Sequence, residues 1–140
     1  MKINKPLYYI LNLTWGLPLT LVGALVSLVL LCAGCKPHRH GGCIYFNIGK
    51  DWGGLEGGLF FFTDKDDSYH VKCHEYGHSI QNMIWGPLML PVITIPSAIR
   101  YWIHTWREAR GKTNPPYDSI WFEGQATNWG FATISQWNKT

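Results

Sequence analysis

Long apolar runs alternate with short polar ones along this chain. No charged residue occurs from Leu7 to Leu31. A helix of about 25 residues measures about 37 Å at 1.5 Å per residue, and the hydrocarbon core of a bilayer is about 30 Å thick. The run therefore predicts one N-terminal transmembrane helix, able to span with some tilt. Lys2 and Lys5 precede it and Lys36 and Arg39 follow it, so the flanking charges do not orient it. The polar stretch "CKPHRHGG" (35–42) reads as a flexible connector, with His38 and His40 solvated in it.

Two β-rich runs follow, Ile44–Ile48 and Leu59–Thr63, separated by a turn dense in glycine (Gly53, Gly54, Gly57, Gly58). They read as a β-hairpin. Asp67 or Ser68 then suits a helix N-cap, and the helix should run from Ser68 to Trp85, where Gly86–Pro87 stops it. A second apolar stretch, Met83–Ile103, is broken by Pro87, Pro91 and Pro96. An amphipathic helix is expected over Ser97–Arg110, with Arg100, His104, Arg107 and Arg110 on its basic side. A last helix should begin at Asp118 or Ser119 and carry "SIWFEGQATNWG". The fold class is α+β, mainly helical. The chain divides into a membrane anchor, 1–34, and a domain, 35–140, with a proline-broken, membrane-associated segment at 83–103.

Composition sharpens this picture. Charged residues make up 15% of the chain, against the usual quarter for soluble domains. A net charge of +3 over 140 residues provides no basic face for nucleic acid. Eight Trp and seven Tyr suit a boundary between lipid and water. Cys32, Cys35, Cys43 and Cys73 form no regular disulfide framework and read as free thiols. "LCAGC" (31–35) resembles a bacterial lipoprotein cleavage site, with Cys35 as the acylated residue. The apolar run exceeds a signal core and Cys32 stands where that pattern has leucine, so a retained anchor is preferred and the lipoprotein is the alternative. Both readings hold the protein at a membrane.

The chemistry concentrates in "HEYGH". His74 and His78, four apart on one helix face, can direct two imidazole nitrogens at one ion. Glu75 then sits beside the ion, where a general base for a metal-bound water belongs. Gly77 would leave the helix surface open next to the ion. A tetrahedral zinc needs a third protein ligand, and the downstream candidates are His104, Glu108, Asp118 and Glu123. Glu123 lies among aromatic and apolar residues with no lysine or arginine nearby, where a carboxylate is costly unless paired or bound to metal. His104 suits an interface, Glu108 a solvated charge between two arginines, and Asp118 a helix cap, so Glu123 is the preferred ligand.

HEYGH, with Glu123-Gly124-Gln125-Ala126 on a later helix, resembles the gluzincin metallopeptidases, in which HExxH is followed by a helix bearing E-x-x-A or E-x-x-S. The arrangement of HEYGHSIQ, GP, LP, IPS and Glu also looks like small bacterial membrane proteins of this zinc-protease type. The resemblance implies one Zn2+, held by His74, His78 and Glu123, with Glu75 as base, acting on a peptide or protein at the bacterial inner membrane. It departs from the pattern after Ala126: Thr127 and Asn128 stand where relatives often have Asp, and Asn128 or a backbone carbonyl could take over the orienting of the ligand histidine.

The expected activity is hydrolysis of peptide bonds, with Glu75 moving the proton and Tyr117, ahead of His104, as the oxyanion donor. The strand Leu59–Thr63 could pair with an extended substrate. Two alternatives stand beside it: a non-catalytic membrane scaffold with structural zinc or none, and a zinc hydrolase of non-peptide substrates. Convergence of His74, His78 and Glu123 requires that Met83–Ile103 not cross a bilayer as one straight helix. With about 100 residues outside the anchor the core is thin, and lipid contact or self-association would supplement it.

Overall fold

The computed structural model describes residues 2–50, 52, 54–65, 68–116 and 119–138. The fold is α+β and mainly helical, with five helices and one four-stranded sheet among the described residues.

The apolar N-terminal run is not one helix. It forms α1 (Lys5–Leu13) and α2 (Leu17–Cys32), bent by 85° at the break between them. Pro18, in the first turn of α2, lacks the amide that would carry the ladder of α1 on to the Thr14 carbonyl. Gly16 sits at the corner, its carbonyl accepting from Asn82 Nδ2 at 3.0 Å, while the same nitrogen donates to Asn12 Oδ1 at 2.7 Å. No single described helix is long and apolar enough to cross a membrane.

The connector is not free either. Residues His38–His40 form β1, paired antiparallel with β2 (Cys43–Asn47). β3 (Gly54–Gly57) and β4 (Phe60–Thr63) complete a sheet in the order β1-β2-β4-β3. The two runs read as partners in a hairpin do pair, but in parallel, Ile44 opposite Phe60 and Asn47 opposite Thr63. The hairpin is β3–β4, and most of the glycine-dense segment is itself the missing strand. Gly58 makes the turn between them at φ +72°, a conformation that favours glycine.

α3 (Tyr69–Trp85) begins where expected, with the Ser68 side chain accepting from the Val71 amide; Asp67 lies outside the described residues. A 3-10 turn (Gly86–Leu88) and a π-helical turn (Leu90–Thr94) follow at the prolines, and α4 (Ile95–Ala109) leaves at 118° to the preceding helical segment. α5 (Trp121–Asn138) then returns to lie along α3. Bare backbone makes that approach close. A Cβ on Gly77 would fall 1.7 Å from the Ala126 carbonyl oxygen, and one on Gly130 would fall 1.8 Å from the Cys73 carbonyl oxygen. The main core, built around Tyr8, Cys43, Phe61, Tyr76, Ile80 and Ile134, draws on α1, the sheet, α3 and α5. All four cysteines are free.

Candidate metal centre

α3 places His74 and His78 one turn apart, their ring centroids 4.7 Å from each other. Glu123, in the first turn of α5, reaches between them. Its Oε2 lies 3.0 Å from His74 Nε2 and 3.1 Å from His78 Nε2. All three residues are buried, Glu123 completely. A tetrahedral zinc with ligands at about 2.1 Å holds its donor atoms roughly 3.4 Å apart, so both histidine–Glu123 separations fall within a few tenths of an ångström of a coordination shell, and the three donor atoms all lie within 4.8 Å of one another. Two neutral imidazoles and a carboxylate are also the donor set such an ion takes. Among the described residues these three are the one group of this kind. His38 and His40 are not part of it: His38 leans on Tyr45, and His40 packs edge-on against Phe61, Tyr69 and Tyr76.

Each of the three side chains is oriented from behind. His74 Nδ1 is 2.8 Å from Thr127 Oγ1. Thr127 thus fills the role that Asn128 or a backbone carbonyl was expected to take. His78 Nδ1 is 2.7 Å from Gln81 Oε1, and the Gln81 amide nitrogen donates to the Phe122 carbonyl at 2.8 Å and to Gln125 Oε1 at 3.0 Å. With its nitrogen committed to two acceptors, Gln81 can only accept from His78. His78 Nδ1 therefore carries a proton, and Nε2, which faces Glu123 at 3.1 Å, is the nitrogen that could take an ion once its own proton is lost. Ser97 of α4 donates to the other Glu123 oxygen at 2.5 Å. Gln81, Ser97 and Thr127 were not singled out for these roles in the sequence, because short polar residues become partners only once the helices cross.

Electrostatics follow from this packing. Burial works against the Glu123 carboxylate, but hydrogen bonds from His74, His78 and Ser97 outweigh it and hold its pKa far below the usual range. Burial disfavours charge on His78, yet Glu123 and Glu75 outweigh that and raise its pKa. Glu75 stands apart from the ligand triad. Burial lifts its pKa, the two histidines lower it, and Glu123 adds to the rise. Gly54 of β3 packs directly on it: a Cβ there would fall 2.6 Å from Glu75 Oε1.

His74, Glu75 and His78 line a cavity of about 490 Å³ whose other walls include Trp52 and Leu55 beside the sheet and Met89, Ile93, Ala98 and Trp102 from the turns and α4. Gly77 does not open the helix surface onto this cavity; it admits the α5 backbone on the other side. His104 and Glu108 line a separate cavity at the end of α4, away from Glu75. Tyr117 and Asp118 lie outside the described residues. β4, expected to be free for an extended partner, is paired on both sides; β3 is the strand at that edge of the sheet. No protein-family model, curated protein or solved structure matches this chain.

Proposed function

We propose that the protein is a membrane-bound, zinc-dependent metallopeptidase of the gluzincin type. The observation that carries this reading is the meeting of His74, His78 and Glu123 at 3.0 and 3.1 Å, with Glu75 beside them on the cavity wall. A zinc ion bound there would supply Lewis acidity to a water and to the substrate carbonyl. The chain's own groups do the rest. Gln81 keeps a proton on His78 Nδ1 and Thr127 fixes the ring of His74, so that both Nε2 atoms face Glu123. Glu75, buried and unengaged by the ligand triad, accepts a proton from the water and returns it to the leaving amine. Ser97 keeps Glu123 turned to the centre. Largely apolar walls exclude bulk water and strengthen each charge interaction inside.

Membrane binding is supported by the inversion of α2. Its buried face carries Leu19, Thr20, Gly23 and Ser27, while Leu21, Val22, Leu25, Leu28 and Val29 point outward. Small and hydroxylated residues within and aliphatic ones without are what lipid contact favours.

The test is a stoichiometric zinc measurement on the purified protein and its variants. The wild type should hold one zinc per chain, Glu123→Ala should lose most of it, and Glu75→Gln should keep it while hydrolysing no peptide. Full zinc in Glu123→Ala would overturn the ligand set, and undiminished hydrolysis by Glu75→Gln would overturn the base.

A further inference from the structure

One face of α4 is left uncovered by the rest of the protein, and none of its residues is fully buried. Ile95, Ile99, Trp102, Ile103 and Trp106 form one exposed stripe along it, at the spacing of a single helix face. Arg100 and Arg107 lie on the flank of that stripe. Arg100 donates to the Pro116 carbonyl and Ser119 Oγ, and Arg107 to Asn114 Oδ1 and the Thr113 carbonyl. At the far end Trp106 lies under two cations, with the Arg110 guanidinium 4.4 Å and the Lys112 ammonium 5.7 Å from its ring centre. Arg100, Arg107, Arg110 and Lys112 against the single acid Glu108 give +3, which equals the net charge of the whole chain. By formal charge the remainder of the chain balances, so the excess of basic residues lies on α4 and the turn that follows it, beside the exposed Trp102 and Trp106. A strongly amphipathic helix with one aromatic and aliphatic face and basic flanks fits the headgroup layer of a membrane, and the sign of the charge selects anionic lipid.

The cavity adjoins this same face. Ala98 and Trp102 are cavity wall, yet Trp102 is also 67% exposed on the apolar stripe. One side chain thus borders both the lipid-facing stripe and the chamber that holds His74, Glu75 and His78.

We propose that α4 lies in the headgroup layer of an anionic bilayer, stripe inward, and that the cavity opens beside Trp102 towards the lipid, admitting an apolar peptide segment from the membrane. The docking stands on α4 alone; the identity of the entering segment as a peptide rests on the peptidase reading above.

The experiment uses the full chain, with Cys32 and Cys35 replaced by serine, reconstituted in vesicles containing phosphatidylglycerol. Nitroxide labels are placed singly through Ala98→Cys, Ile99→Cys, Ile103→Cys, Thr105→Cys and Glu108→Cys. Collision with oxygen, which concentrates in lipid, is compared with collision with a water-soluble nickel chelate. Labels at Ile99 and Ile103 should favour oxygen several-fold over those at Thr105 and Glu108. The Ala98 label, on the cavity wall, should be reached by oxygen and shielded from the chelate. Free chelate access at Ile99 and Ile103 would overturn the docking by placing the stripe in water. Low access to both reagents there would overturn it by showing the stripe covered by protein, including a second copy of the chain. Chelate access at Ala98 alone would overturn the lipid-side entry. None of these readings requires catalysis, so they separate from a failure of the Glu75→Gln test.

Discussion

Single side chains decide whether the centre is a metal site or only a buried ion pair. Thr127 holds His74 by one hydrogen bond of 2.8 Å, and loss of such an orienting partner typically costs 10–100-fold in metal affinity. Thr127→Val, nearly the same size, should weaken zinc by about that factor in a competition titration against a chelator, with the fold intact by circular dichroism. Glu56 makes a second test. Neither of its buried carboxyl oxygens has a well-formed hydrogen bond among the described residues; the Gly58 amide approaches without closing one. Burial first, and then the charge of Glu75, hold its pKa well above the ordinary value, and the Gly58 amide only partly opposes them. A carboxyl raised in the folded state keeps its proton there while the unfolded chain loses it near pH 4.3. Stability therefore falls as pH rises above that point. Glu56→Gln should match the wild type near pH 4 and have the higher thermal midpoint at pH 7; equal midpoints at pH 7 would refute the assignment. Of these residues the sequence showed the ones with a spacing rule. His74 and His78 are a helical pair, and Glu123 is conspicuous as a lone acid among apolar residues. Thr127, Gln81, Ser97 and Glu56 carry no such signature, since their roles arise from the crossing of α3, α4, α5 and β3.

At the level of elements, the contact between α3 and α5 brings Glu123 to the histidines. It depends on Gly77 and Gly130, where the opposing backbone occupies the space of a side chain. Forcing a methyl into such a contact costs about 1–3 kcal/mol when the helices can shift. Gly130→Ala should lower the thermal midpoint and also the zinc affinity, because any shift moves Glu123 away from α3. A variant that loses stability but keeps full zinc affinity would show the centre to be insensitive to this packing. The limits of α3 were legible because local chemistry sets them, a serine cap at one end and Gly86–Pro87 at the other. Strand pairing was not. Reading residues 44–48 and 59–63 as a hairpin assumed that neighbours in sequence are antiparallel partners, whereas β3 intervenes and leaves β2 parallel to β4. Glycines at 54 and 57 disguised β3 as a turn, although β3 needs Gly54 to clear Glu75 and Gly57 to clear Gly23 of α2. Pro18 was the available sign that the apolar N-terminal run would break.

The whole molecule constrains how the proposed binding to a bilayer could be arranged. α2 has 16 residues, about 24 Å of helix, which falls short of a hydrocarbon core of about 30 Å. The chain on either side of the α1–α2 bend also returns to one body. Before it, the Ile3 amide donates to Gln136 Oε1 at 3.1 Å, and the Ile3 carbonyl accepts from Gln136 and Trp137 of α5. After it, β1 joins the sheet that packs on α3. The 118° turn before α4 and the return of α5 do the same for the second apolar stretch. Neither stretch can then cross completely without dragging packed, hydrogen-bonded structure through lipid, at several kcal/mol for each polar group left unsatisfied. Under the membrane-bound reading proposed above, the expected arrangement is an anchor that enters one leaflet and comes back, with α4 beside it at the surface. Cysteines introduced at Lys2, Lys36, Lys65 and Lys112, in a chain lacking Cys32 and Cys35, should all react with a membrane-impermeant maleimide from the same side of sealed vesicles. Protection of Lys2→Cys with full labelling of Lys36→Cys would mean that the bent pair crosses after all. The contacts between Ile3 and α5 would then have to be absent in the membrane, and the metal centre would sit under a transmembrane helix instead of beside a one-leaflet anchor.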